Sequence, residues 1–123
     1  MIYLDNAATT FPKPNEVYNE VDKCLRTYCA NPGRGSHDMS LQCEIKIFTC
    51  REQLAKLFNI QDPLRIIFTS NTTDSLNIAI KGVLKPGDHV ITTMIEHNSV
   101  LRPLHSLKVN NIETTILPVD LKG

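Results

Sequence analysis

A chain of 123 residues, 41% hydrophobic and 21% charged, is long enough for one packed core and has an ordinary globular composition. Thirteen basic residues balance thirteen acidic ones and no Lys or Arg cluster stands out, which argues against a nucleic-acid partner. No apolar run approaches the roughly 20 residues of a membrane span, and Met1-Ile2-Tyr3-Leu4-Asp5 is no signal peptide, so the expectation is a cytoplasmic protein with no membrane partner.

Residues 3–10 are small and polar, and Phe11-Pro12-Lys13-Pro14 follows as a rigid extended turn. Val17, Val21, Leu25 and Tyr28 recur at intervals of four, four and three, which predicts a helix over 15–28. The segment 30–37, ANPGRGSH, holds two glycines and a proline and reads as an irregular loop. A long helix is expected over 40–58, with Cys43, Ile47, Cys50, Leu54 and Leu57 as its buried stripe. Pro63 then precedes a predicted strand over 65–70. Asn71 is a good N-cap for a helix to about Leu84 that buries Leu76, Ile80 and Val83, and Asp74 stands at the third position of a capping box.

Pro86-Gly87-Asp88 is a turn, and residues 89–93 form a second short strand. Residues 95–98 are a loop, Ser99 is the expected cap of a helix to Lys108, and Pro103 is tolerated there as a residue near the first turn. Asn110-Asn111 turns into a third strand over 114–117. The back half thus reads β-α-β-α-β, an α/β fold with a parallel sheet whose ligands sit at the carboxyl ends of the strands. Residues 70–73 and 96–98 both fall at such ends, which predicts a shared pocket.

Cys24, Cys29, Cys43 and Cys50 are spaced C-x4-C, C-x13-C and C-x6-C, which matches no zinc template, so no metal site is expected. Disulfides are not expected in a cytosolic setting either. The run 66–77, IIFTSNTTDSLN, is the informative one: an apolar strand feeds a helix whose first turn carries Thr72 and Thr73. Free N–H groups, the positive end of a helix dipole and two hydroxyls then converge on one point, which suits a cofactor phosphate. The same residues also serve simply to end a helix. Neither a Walker loop nor a G-x-G-x-x-G turn is present, which disfavours nucleoside triphosphates and dinucleotides. His97, between Glu96 and Asn98, suits a solvated loop as well as a site.

Four segments together resemble one family. YLDNAATT at 3–10, NPGRGSHDMS at 31–40, FTSNTTDSLN at 68–77 and EHNSVLRP at 96–103 stand in the order and at the intervals of the class V aminotransferase fold, within its cysteine desulfurase and selenocysteine lyase branch. The resemblance spans essentially the whole chain. It implies the N-terminal part of the pyridoxal 5′-phosphate (PLP)-dependent transferase fold, aspartate aminotransferase-like and of fold type I. That fold has a mostly parallel sheet flanked by helices. Residues 1–37 would be the N-terminal arm, helix and active-site loop, and 38–123 the first part of the large PLP-binding domain, the whole being a single incomplete unit.

By the same resemblance Thr72 and Thr73 correspond to the phosphate-binding pair. His97 corresponds to the catalytic histidine whose imidazole stacks on the pyridine ring. Asn6, Ala7 and Ala8 match the loop lining the substrate end of the pocket, and Arg34 and His37 match polar positions of the loop that closes near it. The implied reaction converts L-cysteine, or L-selenocysteine, to alanine and leaves a persulfide on an enzyme cysteine. The sulfur would pass to an acceptor protein for iron–sulfur or related cofactor assembly, and homodimers are the family norm. Other readings are a class V aminotransferase or epimerase of different substrate, and a non-catalytic truncated dimerisation module.

The sequence departs from the family in two ways. One branch carries a His before the loop arginine, and here that position is Gly33. Family members also continue well past this length, so the Schiff-base lysine and the sulfur-accepting cysteine are expected outside these residues. A 123-residue piece would on that expectation be inactive alone.

Overall fold

A computed structural model describes residues 2–120. The chain divides into two compact units, Met1–Ile67 and Phe68–Gly123.

In the first unit, the arm before the first helix closes on itself. The Tyr3 hydroxyl donates to the Thr9 carbonyl at 2.7 Å, the Phe11 amide donates to Asn6 Oδ1 at 3.1 Å, and the Tyr3 and Phe11 rings meet edge to face at 5.8 Å. Helix α1 spans Asn15–Thr27 and follows Pro14, whose φ of −53° is already near the helical value. Its predicted apolar residues Val17, Val21 and Leu25 are exposed, and only Tyr28, just past its end, is buried.

Helix α2, Asp38–Leu57, buries Ser40, Cys43 and Ala55. The expected stripe is therefore only partly buried: Cys43 lies inside, whereas Cys50 is exposed and Leu57 is 73% exposed. Cys43 acts as a clamp between the helices. Its thiol donates to the Tyr28 carbonyl at 2.7 Å, and its sulfur accepts the Ala30 amide at 3.3 Å. Burial first, then the neighbouring Cys29 and Cys43, push the Cys24 thiol up.

A polar relay ties α1 to α2. The Tyr28 hydroxyl donates to Glu20 Oε1 at 2.7 Å, and Lys46 Nζ donates to the same oxygen at 2.7 Å. Bonding to Lys46 and then to Tyr28 holds Glu20 below its ordinary range, while bonding to the Glu20 carboxylate and then burial push Tyr28 up to about 12. The neutral phenol is the bonded form. Its contribution to stability is thus complete below the ordinary tyrosine value of 10.0 and is lost as pH rises toward 12. The Glu20 contribution has the opposite sense, being present above the ordinary 4.5 and lost as pH falls. Absorbance titration at 295 nm of the intact protein should show one late tyrosine step that Tyr28→Phe abolishes. A difference spectrum between the two proteins centred at the ordinary tyrosine value would contradict the relay.

In the second unit, helix α3 (Thr72–Val83) packs on helix α4 (Asn98–Leu107), and strands β1 (His89–Thr93) and β2 (Glu113–Leu117) pair in parallel, from His89 opposite Glu113 to Thr93 opposite Leu117. The parallel pairing and the β-α-β crossover are as expected from the sequence. Leu104, Leu107 and Ile112 form the core, each less than a tenth exposed. Val83, predicted inside, is 73% exposed.

The predicted strand over 65–70 is not a strand. Pro63–Arg65 is a turn of 3₁₀ helix capped by Asp62, and 66–69 carry no ladder. Ile66 and Ile67 favour β structure, but propensity alone makes no ladder, and among the described residues β1 and β2 pair with each other alone. Pro103 lies inside α4, beyond the first turn, and is buried there.

Candidate functional site

Helix α3 begins where the sequence placed it. Asn71, in extended conformation, accepts the Asp74 amide on its Oδ1 at 2.9 Å, and its carbonyl accepts the Ser75 amide at 3.2 Å. These two bonds use the third and fourth amides of the helix. The amides of Thr72 and Thr73 remain, and with both threonine hydroxyls they have no partner among the described residues. Thr72 and Thr73 are also exposed. Four donors at the positive end of a helix can receive the oxygens of a phosphate, and none of the described residues competes for them.

His97 sits at the start of α4, four residues beyond the carboxyl end of β1. The expected cap, Ser99, is not the cap: His97 is. Its Nδ1 lies 3.1 Å from the Ser99 amide and 2.8 Å from Ser99 Oγ. Serine outranks histidine as a capping residue, which is why the sequence pointed two residues too far along. Ser99 is instead buried within the first turn. The turn at 84–88 reverses the chain between α3 and β1, so the first turn of α3 and the carboxyl end of β1 belong to the same end of this unit.

An open groove of about 350 Å³ lies at the opposite end of the sheet, lined by His89, Lys108, Ile112, Glu113, Thr114 and Thr115. It contains none of the residues that sequence singled out. His89 and Glu113 open their strands, and ligands of parallel sheets gather at the other end.

The remaining candidates belong to the first unit. Asn6 spends its carbonyl oxygen on the Phe11 amide, and the Ala8 amide bonds back to the Asp5 carbonyl at 3.1 Å, so residues 5–8 form a tight turn. Arg34 is exposed and makes no ion pair among the described residues. His37 caps α2, its Nδ1 accepting the Ser40 amide at 3.3 Å, while the Ser40 hydroxyl donates to the Asn31 carbonyl at 2.7 Å.

Two glycines shape this loop. Gly33 has φ +73°, a conformation costly for any side chain, which gives a physical reason for glycine where one branch has histidine. At Gly35 an added Cβ would come within 2.8 Å of the His37 ring, and no sequence signal identified that contact.

Comparison with known proteins agrees with the family that the sequence resembles. A family model described as aminotransferase class-V matches residues 2–123. A cysteine desulfurase IscS from Dictyoglomus turgidum is 40% identical over 126 residues, covering 99% of this chain and 31% of the relative. Among solved structures, the apo cysteine desulfurase of Thermococcus onnurineus NA1 superposes with a TM-score of 0.81 at 32% identity, covering 97% of this chain and 30% of that one. A NifS-like protein gives 0.79 at 30% identity, with 97% and 33% covered. The chain thus spans about a third of the length of the relatives it matches.

Proposed function

The chain belongs to the class-V aminotransferase family, and from that premise we propose that this protein is a PLP-dependent cysteine desulfurase, converting L-cysteine to L-alanine and an enzyme-bound persulfide. Its α/β fold is the N-terminal part of the PLP-dependent transferase fold, as in the two structural neighbours above. The observation that carries the reading is the set of four open donors at the N-terminus of α3, the chemistry a phosphate monoester asks for.

In this reading the Thr72 and Thr73 amides and hydroxyls hold the phosphate, and the helix dipole favours its charge. The His97 imidazole would offer a flat aromatic face to the pyridine ring. Bound PLP supplies an electron sink for the charge that develops at the substrate Cα. Asn6, Ala7 and Ala8 leave room for a small amino acid, the Arg34 guanidinium offers charge-assisted bonds to its carboxylate, and His37 is a further polar residue of the same loop. Residues 1–37 serve as arm, helix and active-site loop, and 38–123 begin the PLP-binding domain. The same reading includes a cytoplasmic homodimer, L-selenocysteine as a possible substrate, and a sulfur-acceptor protein serving iron–sulfur assembly.

Incubating these residues, joined to the family's Schiff-base lysine and sulfur-accepting cysteine, with PLP, L-cysteine and a thiol reductant should yield alanine and sulfide in equal amounts. Transfer of the amino group to a keto acid without alanine would assign a different class V reaction. A protein that forms dimers and leaves both PLP and cysteine untouched would be the non-catalytic module.

A further inference from the structure

The two capping histidines differ in one contact, and that difference bears on which ring nitrogen carries the proton. A backbone amide only donates. The Ser99 amide points at His97 Nδ1 from 3.1 Å, so a proton on Nδ1 would set two hydrogens face to face. In the neutral ring Nδ1 is therefore bare and Nε2 carries the hydrogen. The Ser99 hydroxyl lies 2.8 Å from the same nitrogen and shares its one lone pair with the amide, and Ser99 is only 7% exposed with no other side-chain bond among the described residues. A buried hydroxyl without a partner costs stability, so the Ser99–His97 contact serves both groups. At His37 the matching hydroxyl, from Ser40, is engaged by the Asn31 carbonyl, which leaves the ring a single amide at 3.3 Å.

We propose that Ser99 is a positioning residue that fixes His97 as its Nε2–H tautomer and holds the ring in place, so that Nε2 faces outward as a hydrogen-bond donor and not as a base. The functional consequence rests on His97 lying against the cofactor as proposed above; the tautomer itself does not.

Long-range ¹H–¹⁵N spectra of ¹⁵N-histidine-labelled intact protein without cofactor, at a pH where the rings are neutral, read the tautomer directly, with His97 identified by its loss in His97→Gln. Wild type should show Nε2 protonated and Nδ1 bare. In Ser99→Ala the tautomer ratio should fall roughly 2- to 12-fold toward that of His37, the equivalent of one ordinary hydrogen bond. Ser99→Thr, which keeps the hydroxyl, should restore it. A proton on Nδ1 in wild type overturns the proposal, and so does a ratio unchanged in Ser99→Ala. If His97 is locked but the protein neither binds PLP nor acts on cysteine, the functional reading fails and the lock stands. If PLP and cysteine are turned over with Nδ1 protonated, the lock fails and the function stands.

Discussion

Replacing both Thr72 and Thr73 by alanine in the intact protein is expected to weaken PLP binding about a hundredfold or more. Each hydroxyl would lose a bond to a charged phosphate oxygen, worth ~1.5–3 kcal/mol, while the two backbone amides and the helix dipole remain. Because neither hydroxyl has a structural partner among the described residues, helix α3 should keep its stability, with Asn71 still capping it. That separation makes the result readable. Titration of the apoprotein with PLP gives Kd, thermal melting without cofactor gives stability, and Thr72→Ser with Thr73→Ser should recover most of the affinity. A double alanine variant that binds PLP within twofold of wild type would move the phosphate elsewhere and remove the main support for the proposed function.

Leu104→Ala is expected to destabilise the protein by about 2–5 kcal/mol, the range for emptying a packed leucine site. Leu104 is 3% exposed on α4, in the core with Leu107 and Ile112. The nearby Val109, 85% exposed, provides the contrast: Val109→Ala should stay within about 0.5 kcal/mol. Hydrogen exchange would locate the loss, with amides of the second unit exchanging faster than those of the first. As His97 caps α4, any loosening of the helix also reaches the proposed site. Equal melting temperatures for the two variants would show that the second unit has no such core.

What could be read from residues alone was what local chemistry decides. β1 came out at its observed bounds, because a short apolar run between a Pro-Gly turn and a loop has few other outcomes. The α3 cap at Asn71 was legible for the same kind of reason, since asparagine in front of an amphipathic run satisfies an amide two or three residues ahead. The four family segments were likewise visible, and the family assignment followed from them. The cap of α4 was not legible. Propensity favours Ser99, yet Ser99 is buried within the first turn and the His97 ring accepts its amide instead.

The missing strand at 66–69 was not legible either. Ile66 and Ile67 carry strand propensity, but a ladder requires a second strand, and pairing is a property of the assembled sheet. The stripe of α2 divides the same way: period placed Cys43, Cys50 and Leu57 on one face, while the contact with Tyr28 and Ala30 buried Cys43 and left the other two outside. Sequence by itself determined the helices and the α3 cap, which rest on neighbours in the chain, and the parallel sense of the strand pair, which the β-α-β order dictates. Tertiary structure alone decided which thiol is buried, because Cys43 meets Tyr28 and Ala30 only when the two helices fold face to face.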